Sequence, residues 1–460
     1  MRMLRAGAVL LSSLGLMVAA NGAPVHALPS APAALVPAAQ VARTTPKAPP
    51  TPPDHYVVRN GVRFNDPYGR DGHGMSMIRR HIIRTINSTT LGDHIFISSW
   101  NIRGKGYADA LIAAHHRGVG VRIVMDHGNA NQLAPNPDVS RIMRAFKGDA
   151  KRYPPNQSAL VRCNGSCRGA HGIAHSKFFL FDHVGDRSWI TMYGSNNATD
   201  VAANSQWNDM FTIANNKTVF DDFLSIFRQM VPDKNMGSKA YVHFAVDPTR
   251  AFNFYPNVGA TAVADPDLQR LRQITCTGAT GGTGVNGHTK VRIAQDALLG
   301  QRGINIAKRL VQMRNQGCDI RLIYSLLGGN ARKVLVAGKV PMLQYSYDRN
   351  RDGMYDIYLH MKDMAISGVF RGKTDDRVVF NGSANWSPVA LVSDEIVGEI
   401  HDARTTANYI DWIDYLWHHR PSSWGPVNLA PVSSSTSGGI DRPIVGRTVD
   451  PYALMRKEDM

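Results

Sequence analysis

HSKFFLFD, from His175 to Asp182, and YGSNN, from Tyr193 to Asn197, recur as HMKDMAIS, from His360 to Ser367, and NGSANWS, from Asn381 to Ser387. Both His-x-Lys units lie in β-prone runs. Side chains two apart on an extended chain project to one side, so His175 is expected beside Lys177 and His360 beside Lys362. After a short turn, each run is followed by a strand ending in Gly-Ser-x-Asn. There Ser195 and Asn197, or Ser383 and Asn385, are again two apart, and the glycine permits close backbone approach.

Working outward, the same order of elements precedes both units. SMIRRHIIRTINS has helical apolar spacing, DHIFISSW and VGVRIVMD read as buried strands, and ADALIAAHHRG is a helix stopped at Gly118. In the second block KVRIAQDAL, NIAKRLVQMRNQG and CDIRLIYSLL repeat strand, helix and strand. Strand–helix–strand with a glycine stop predicts a right-handed parallel crossover. The chain therefore reads as an internally duplicated α/β protein of mixed sheets and helices, with blocks over 54–235 and 236–424.

Each quartet offers an imidazole, a fixed cation, a hydroxyl and an amide, which suits a phosphodiester. Lys177 and Lys362 are expected to neutralise non-bridging oxygens, with Asn197, Asn385, Ser195 and Ser383 donating further hydrogen bonds. Two imidazoles divide the work: one attacks phosphorus while neutral, and the other, protonated, supplies the leaving alkoxide with a proton. No metal is required if the lysines carry the charge. His288-Thr-Lys290 has the same spacing but no Gly-Ser-x-Asn behind it, and reads as structural.

With both quartets in place, the chain resembles the phospholipase D superfamily, whose signature is His-x-Lys-x4-Asp followed by Gly-Ser-x-Asn, present twice. The resemblance runs from about Asp54 to Pro421. It implies two domains related by a pseudo-twofold axis, each a mixed sheet flanked by helices, with the histidines meeting between them. It also implies a phosphohistidine intermediate on His175, His360 as acid and base, and turnover without metal. Members of the family often carry a downstream carboxylate that orients a catalytic imidazole through Nδ1; Asp209 and Glu395 occupy that place. Asp182 fills the signature aspartate of the first motif, whereas Ser367 stands there in the second.

The remaining signals concern setting and substrate. Arg2 and Arg5 precede an apolar run, and a cut after Ala27 makes residues 1–27 a secretory signal. An Ala/Pro-rich linker over 28–53 and a tail over 425–460 flank the blocks. A secreted chain with four cysteines is expected to form disulfides. Three pairings are open, and Cys163–Cys167 with Cys276–Cys318 is the one expected. Hydrophobic residues make up 43% and charged residues 19%, which excludes disordered, fibrous and multi-spanning classes. The net charge of +16 draws polyanions or anionic membrane surfaces. DRNRDGMYD spaces Asp348, Asn350, Asp352 and Asp356 like a calcium loop, although Leu359 replaces the usual Glu at position twelve. A structural calcium is one reading, and an Asp/Asn-rich turn needs none. Arg141, Arg144, Lys147, Lys151, Arg152, Arg162 and Arg168 are expected to wall the cleft with positive charge.

Three activities fit. The expected one is a secreted phospholipase D acting as a monomer on phospholipid head groups or a membrane surface, favoured by the apolar stretches expected as loops after Ser325. An extracellular endonuclease acting on nucleic acid is the alternative. A non-catalytic protein binding anionic phosphate groups is the third, and retention of both histidines and both lysines argues against it.

Overall fold

The computed structural model describes residues 52–70, 74–147, 157–257, 259 and 263–424. The expected signal, nearly all of the linker, the tail, Lys151 and Arg152 lie outside the described residues. Two mixed nine-stranded sheets, flanked by helices, form the body of the protein. In the first, Phe178–Val184 runs antiparallel to His94–Ser99, which is parallel to Gly120–Asp126, itself parallel to Ala159–Cys163. In the second, Lys362–Phe370 is antiparallel to Lys290–Leu298, followed in parallel by Asp319–Leu327 and Met342–Gln344. Both sheets thus contain the crossovers read from the sequence, through helices Lys105–His116 and Gly300–Asn315.

Alternation along the strands builds two cores from one sheet. Ile95, Ile97, Phe179 and Phe181 point to the helices Met77–Asn87 and Lys105–His116 of their own half. Phe96, Phe178 and Leu180 point the other way. There they pack with Phe220, Phe223 and Phe227 of helix Lys217–Met230 and with Phe252, Phe254 and Ile396 from the second half. A further shared core joins Phe64 and Trp207 to Ile357, Leu359, Trp412 and Ile413. The two halves therefore share apolar surface that neither buries alone.

Chain exchange reinforces this. The strand Ile357–Leu359, although it belongs to the second block, pairs in parallel with Gln206–Ile213 of the first sheet, carrying Ser346–Tyr347 with it. The cysteines pair as Cys163–Cys167 and Cys276–Cys318, which fits an extracellular or periplasmic setting. Among the described residues no helix is long and apolar enough to cross a membrane.

One sequence expectation is corrected. The apolar stretch after Ser325 is mostly a strand end and the helix Gly329–Ala337, with Leu335 buried, because Ala331 and Leu335 lie four apart on one helical face. The DRNRDGMYD turn is closed by its own hydrogen bonds. Asp348 accepts the amides of Asp352 and Gly353, Asp352 that of Met354, and Asp356 that of Arg349. The Asn350 side chain donates to the Asp352 carboxylate through Nδ2 and accepts the Asp352 amide at Oδ1. Among the described residues no group of three or more His, Cys, Asp or Glu is arranged to hold a metal.

On the outer part of the second sheet, His401 lies between Asp376 (3.0 Å) and Glu399 (2.9 Å), and these hydrogen bonds raise its pKa to about 9. A raised histidine adds stability that is complete below its unfolded value and is lost as pH climbs through the folded one. The shift from 6.5 to about 9 corresponds to at most roughly 3.5 kcal/mol, at ~1.4 kcal/mol per pH unit, and solvent screening of this half-buried group reduces it. The melting temperature is expected to fall between about pH 6.5 and 9, and His401→Gln, already less stable at neutral pH, is expected to lack that step.

Candidate active site

His175 and Lys177 lie in the extended segment that leads into Phe178–Val184, and His360 and Lys362 in the one joining Ile357–Leu359 to Lys362–Phe370. Both segments cross to the opposite half. The His175 amide donates to the Asp394 carbonyl (3.1 Å), and the His360 amide donates to the Trp207 carbonyl (2.9 Å). These paired main-chain bonds bring the two motifs together. Each histidine feels the opposite lysine electrostatically, and His360 feels His175.

The rings are buried, 1% exposed at His175 and 4% at His360. Each is held at Nδ1 by a residue of the opposite half. For His175 this is Glu395 Oε1 at 2.8 Å, and for His360 it is Asn208 Oδ1 at 2.8 Å. An Nδ1–H donated in this way leaves Nε2 as the reactive nitrogen. Burial first, then Lys177 and Lys362, holds His175 well below the usual histidine range. Burial, both lysines and His175 do the same to His360. Glu395 is pushed up to about 8 by burial, against the pull of Lys177, the Ser383 hydroxyl and Lys362. Without substrate, the site therefore favours neutral imidazoles, the state in which Nε2 can attack.

Lys177 and Lys362 are fully enclosed, and each ammonium donates to the carbonyl of its own motif histidine. Lys362 also pairs with Asp296 (3.1 Å), a buried carboxylate on the strand Lys290–Leu298. Asn385 helps hold Asp296 below where burial alone would put it, and Asn197 is buried at the corresponding place in the first half. The chain bends sharply after Gly194 and Gly382. A Cβ on Gly382 would sit 2.2 Å from the Ile396 carbonyl oxygen, and one on Gly194 2.5 Å from that of Asp209. Only glycine lets these strands touch their neighbours there.

Three expectations about the site are corrected. The serine hydroxyls do not face the space for a phosphodiester. Ser195 donates to Asn208 (3.0 Å) and Ser383 to Glu395, so they brace the residues that hold the histidines. Asp209 does not touch His360. Adjacent residues on a strand face opposite ways, and Asp209 points to the Ser195 amide, Asn381 and the Tyr409 hydroxyl, while its neighbour Asn208 takes the imidazole. Asp182 binds the amide (2.7 Å) and Nδ1 of His94, far along the strand from Lys177. Ser367 takes the matching place opposite Lys290, so its departure from the signature leaves the reactive end untouched. Finally, two residues of the expected basic wall are engaged within the fold. Arg141 is paired with Asp109 and Asp138, and Arg168 is buried against the carbonyls of Tyr255 and Ala240.

Several residues were invisible to motif reading. Asn208, Asp296 and Asp363 are among them, as is Trp100, whose ring meets His175 edge-on at 5.7 Å. Asp394, next to Glu395, is anchored by the Ser166 hydroxyl and the Cys167 amide within and beside the small disulfide loop. For Asp296 one signal existed, a lone acid in the apolar run KVRIAQDAL. His288 and Lys290 lie at the opposite end of that strand from Asp296.

Residues 82–231 match the family model described as "Cardiolipin synthase, PLD-like domain". No curated protein sequence matches the chain. Among solved structures, phosphatidylserine synthase from Haemophilus influenzae aligns over 77% of this chain and 88% of its own, with TM-score 0.51 and 12% identity. Polyphosphate kinase from Porphyromonas gingivalis aligns over 77% of this chain with TM-score 0.49 and 12% identity, the chain spanning half of that protein's length. Nuc, a phospholipase D family member from Salmonella typhimurium, is 20% identical over 38% of this chain and 96% of its own, with TM-score 0.28. Over residues 82–231 the chain carries a PLD-like domain of the phospholipase D superfamily.

Proposed function

We propose that the protein is a secreted phospholipase D, hydrolysing glycerophospholipids to phosphatidic acid and a free head-group alcohol without a cofactor. The observation that carries this reading is the convergence of the two histidines, each held at Nδ1 across the halves and flanked by an enclosed lysine. His175 Nε2 gives its electron pair to phosphorus, and the bond to the head-group oxygen breaks. That oxygen takes the proton of protonated His360, leaving a P–N bond on His175. Water then attacks phosphorus from the vacated side and loses a proton to His360. The P–N bond breaks, and the electron pair returns to His175. The lysines offset charge on the non-bridging oxygens throughout, and the anionic diester itself favours the protonated state His360 needs. One chain supplies both histidines, so a monomer suffices.

Lipid is preferred to nucleic acid on two grounds. The matched family model and the Haemophilus influenzae neighbour are lipid enzymes by description. In addition, Arg141 and Arg168 are occupied within the fold instead of lining an open groove. The test is choline release from phosphatidylcholine vesicles by the mature chain, with and without EDTA, beside His175→Ala. Release unchanged by EDTA and absent in the variant is the expected result. Complete loss in EDTA with the fold intact contradicts the cofactor-free reading, and cleavage of plasmid with no choline release makes the protein a nuclease.

A further inference from the structure

The two residues that hold the imidazoles are equivalent in place, but only one of them can ionise. Asn208 and Glu395 each follow a Gly-Ser-x-Asn motif, each receives the hydroxyl of that motif's serine, and each meets Nδ1 of the opposite histidine at 2.8 Å. The residues after them match as well: the amides of Asp209 and Ile396 both donate to the same serine oxygens at 3.0 Å. The second-half residue is a carboxylate, and the first-half residue is an amide.

The surroundings fix which end of that amide faces His360. Asn208 Nδ2 donates to the Ala202 carbonyl (3.1 Å) and to Gln206 Oε1 (3.0 Å), whose own Nε2 donates to the Tyr358 hydroxyl (2.6 Å). Oδ1 already receives the Ser195 hydroxyl. Turning the amide over would set Nδ2 against that hydroxyl and leave two acceptors facing an acceptor. Oδ1 therefore faces the ring, and an oxygen there requires a proton on Nδ1.

Building on the proposed reaction, we infer that Asn208 is a positioning residue: it holds His360 as the Nδ1–H form and, unable to ionise as Glu395 can beside a phosphorylated His175, makes His360 the ring that parts with its proton. A phosphorylated His175 keeps an Nδ1 proton and gains positive character, which a carboxylate stabilises. A proton donor is weakened by such a partner and strengthened by a neutral one. The other groups around His360 do not restore the missing charge. Lys362, Lys177 and His175 all disfavour an imidazolium, and the Ser195 main chain alone favours it. The nearby carboxylates are engaged elsewhere, Glu395 with His175 and Asp296 with Lys362. The Tyr358 ring lies edge-on at 6.1 Å.

The test is nitrogen NMR of the full chain labelled at histidine, without substrate, on the wild type and on the isosteric Asn208→Asp. The wild type is expected to show His360 protonated at Nδ1 when neutral. In Asn208→Asp its titration midpoint is expected to rise by about one pH unit or more, as a carboxylate within hydrogen-bond reach does. The alkaline limb of kcat on phosphatidylcholine is expected to move up with it, while the acid limb stays. A neutral His360 protonated at Nε2, or a midpoint unmoved in a folded Asn208→Asp, overturns the inference. The wild-type measurement decides the tautomer even if the variant does not fold. Because neither spectrum needs turnover, inactivity on every phosphodiester would refute the proposed function separately.

Discussion

His175→Ala is expected to lower kcat on phosphatidylcholine by about 10⁴-fold or more, and His360→Ala by a similar factor, because groups that act as a unit lose most of their effect when either is removed. The two variants should separate on a different substrate. A phosphodiester with a p-nitrophenolate leaving group needs no proton to depart, so His360→Ala is expected to regain much of the bond-breaking step, seen as a burst of nitrophenol followed by slow turnover. His175→Ala has no atom to attack phosphorus and is expected to stay inactive on both substrates. Rapid-mixing measurements of the first turnover check this. A His175→Ala variant that shows the burst reverses the assignment of the two rings.

Arg302→Met is expected to produce the largest loss of stability of any single change outside the catalytic groups. The guanidinium is buried and spans Asp265 (2.8 and 3.1 Å) and Asp267 (2.7 Å), while a further nitrogen donates to the carbonyls of Asn385 (2.7 Å) and Ser387. Its removal leaves Asp265 as a buried carboxylate without its cation, since Asp267 retains Arg270. Breaking a buried pair in this way costs about 3–5 kcal/mol, or a drop in melting temperature of about 6–20 °C for a domain of 150–250 residues. Arg302→Lys is expected to recover little, because an ammonium cannot reproduce the fork. Asp265→Asn in the Arg302→Met background is expected to restore part of the loss. Thermal unfolding of the three variants decides it, and a loss under about 1 kcal/mol in Arg302→Met would show the network to be inert. The same variant should weaken catalysis, since Arg302 fixes the main chain of Asn385.

What the sequence made legible was whatever repeats. The order of strands and helices, the two His-x-Lys units and the Gly-Ser-x-Asn bends all recur, and recurrence in a duplicated chain needs no knowledge of three-dimensional neighbours. What it hid was whatever crosses between the halves. The partner of His360 was sought among carboxylates, and Asp209 is the carboxylate at hand. The residue in place is an amide one position earlier, and on a strand one position means the opposite face. The spacing of the serines to asparagine suggests that they face substrate; only the neighbouring strand ends, which bring Asn208 and Glu395 against them, turn them inward. Asp363 follows Lys362 directly, yet it lies fully buried and is driven well above the carboxylate range by burial and by Asp209. Nothing in a β-prone run announces that.

The strand Ile357–Leu359 has a mechanical meaning. It delivers His360 from the second half while being hydrogen-bonded into the sheet of the first, and the stretch before His175 is clasped in return by Asp394. A clam-shell hinge that drew the halves apart would have to tear both clasps and expose two shared apolar cores. The protein thus resembles a sewn purse more than a pair of jaws: a ligand has to enter from the rim while the stitches stay closed.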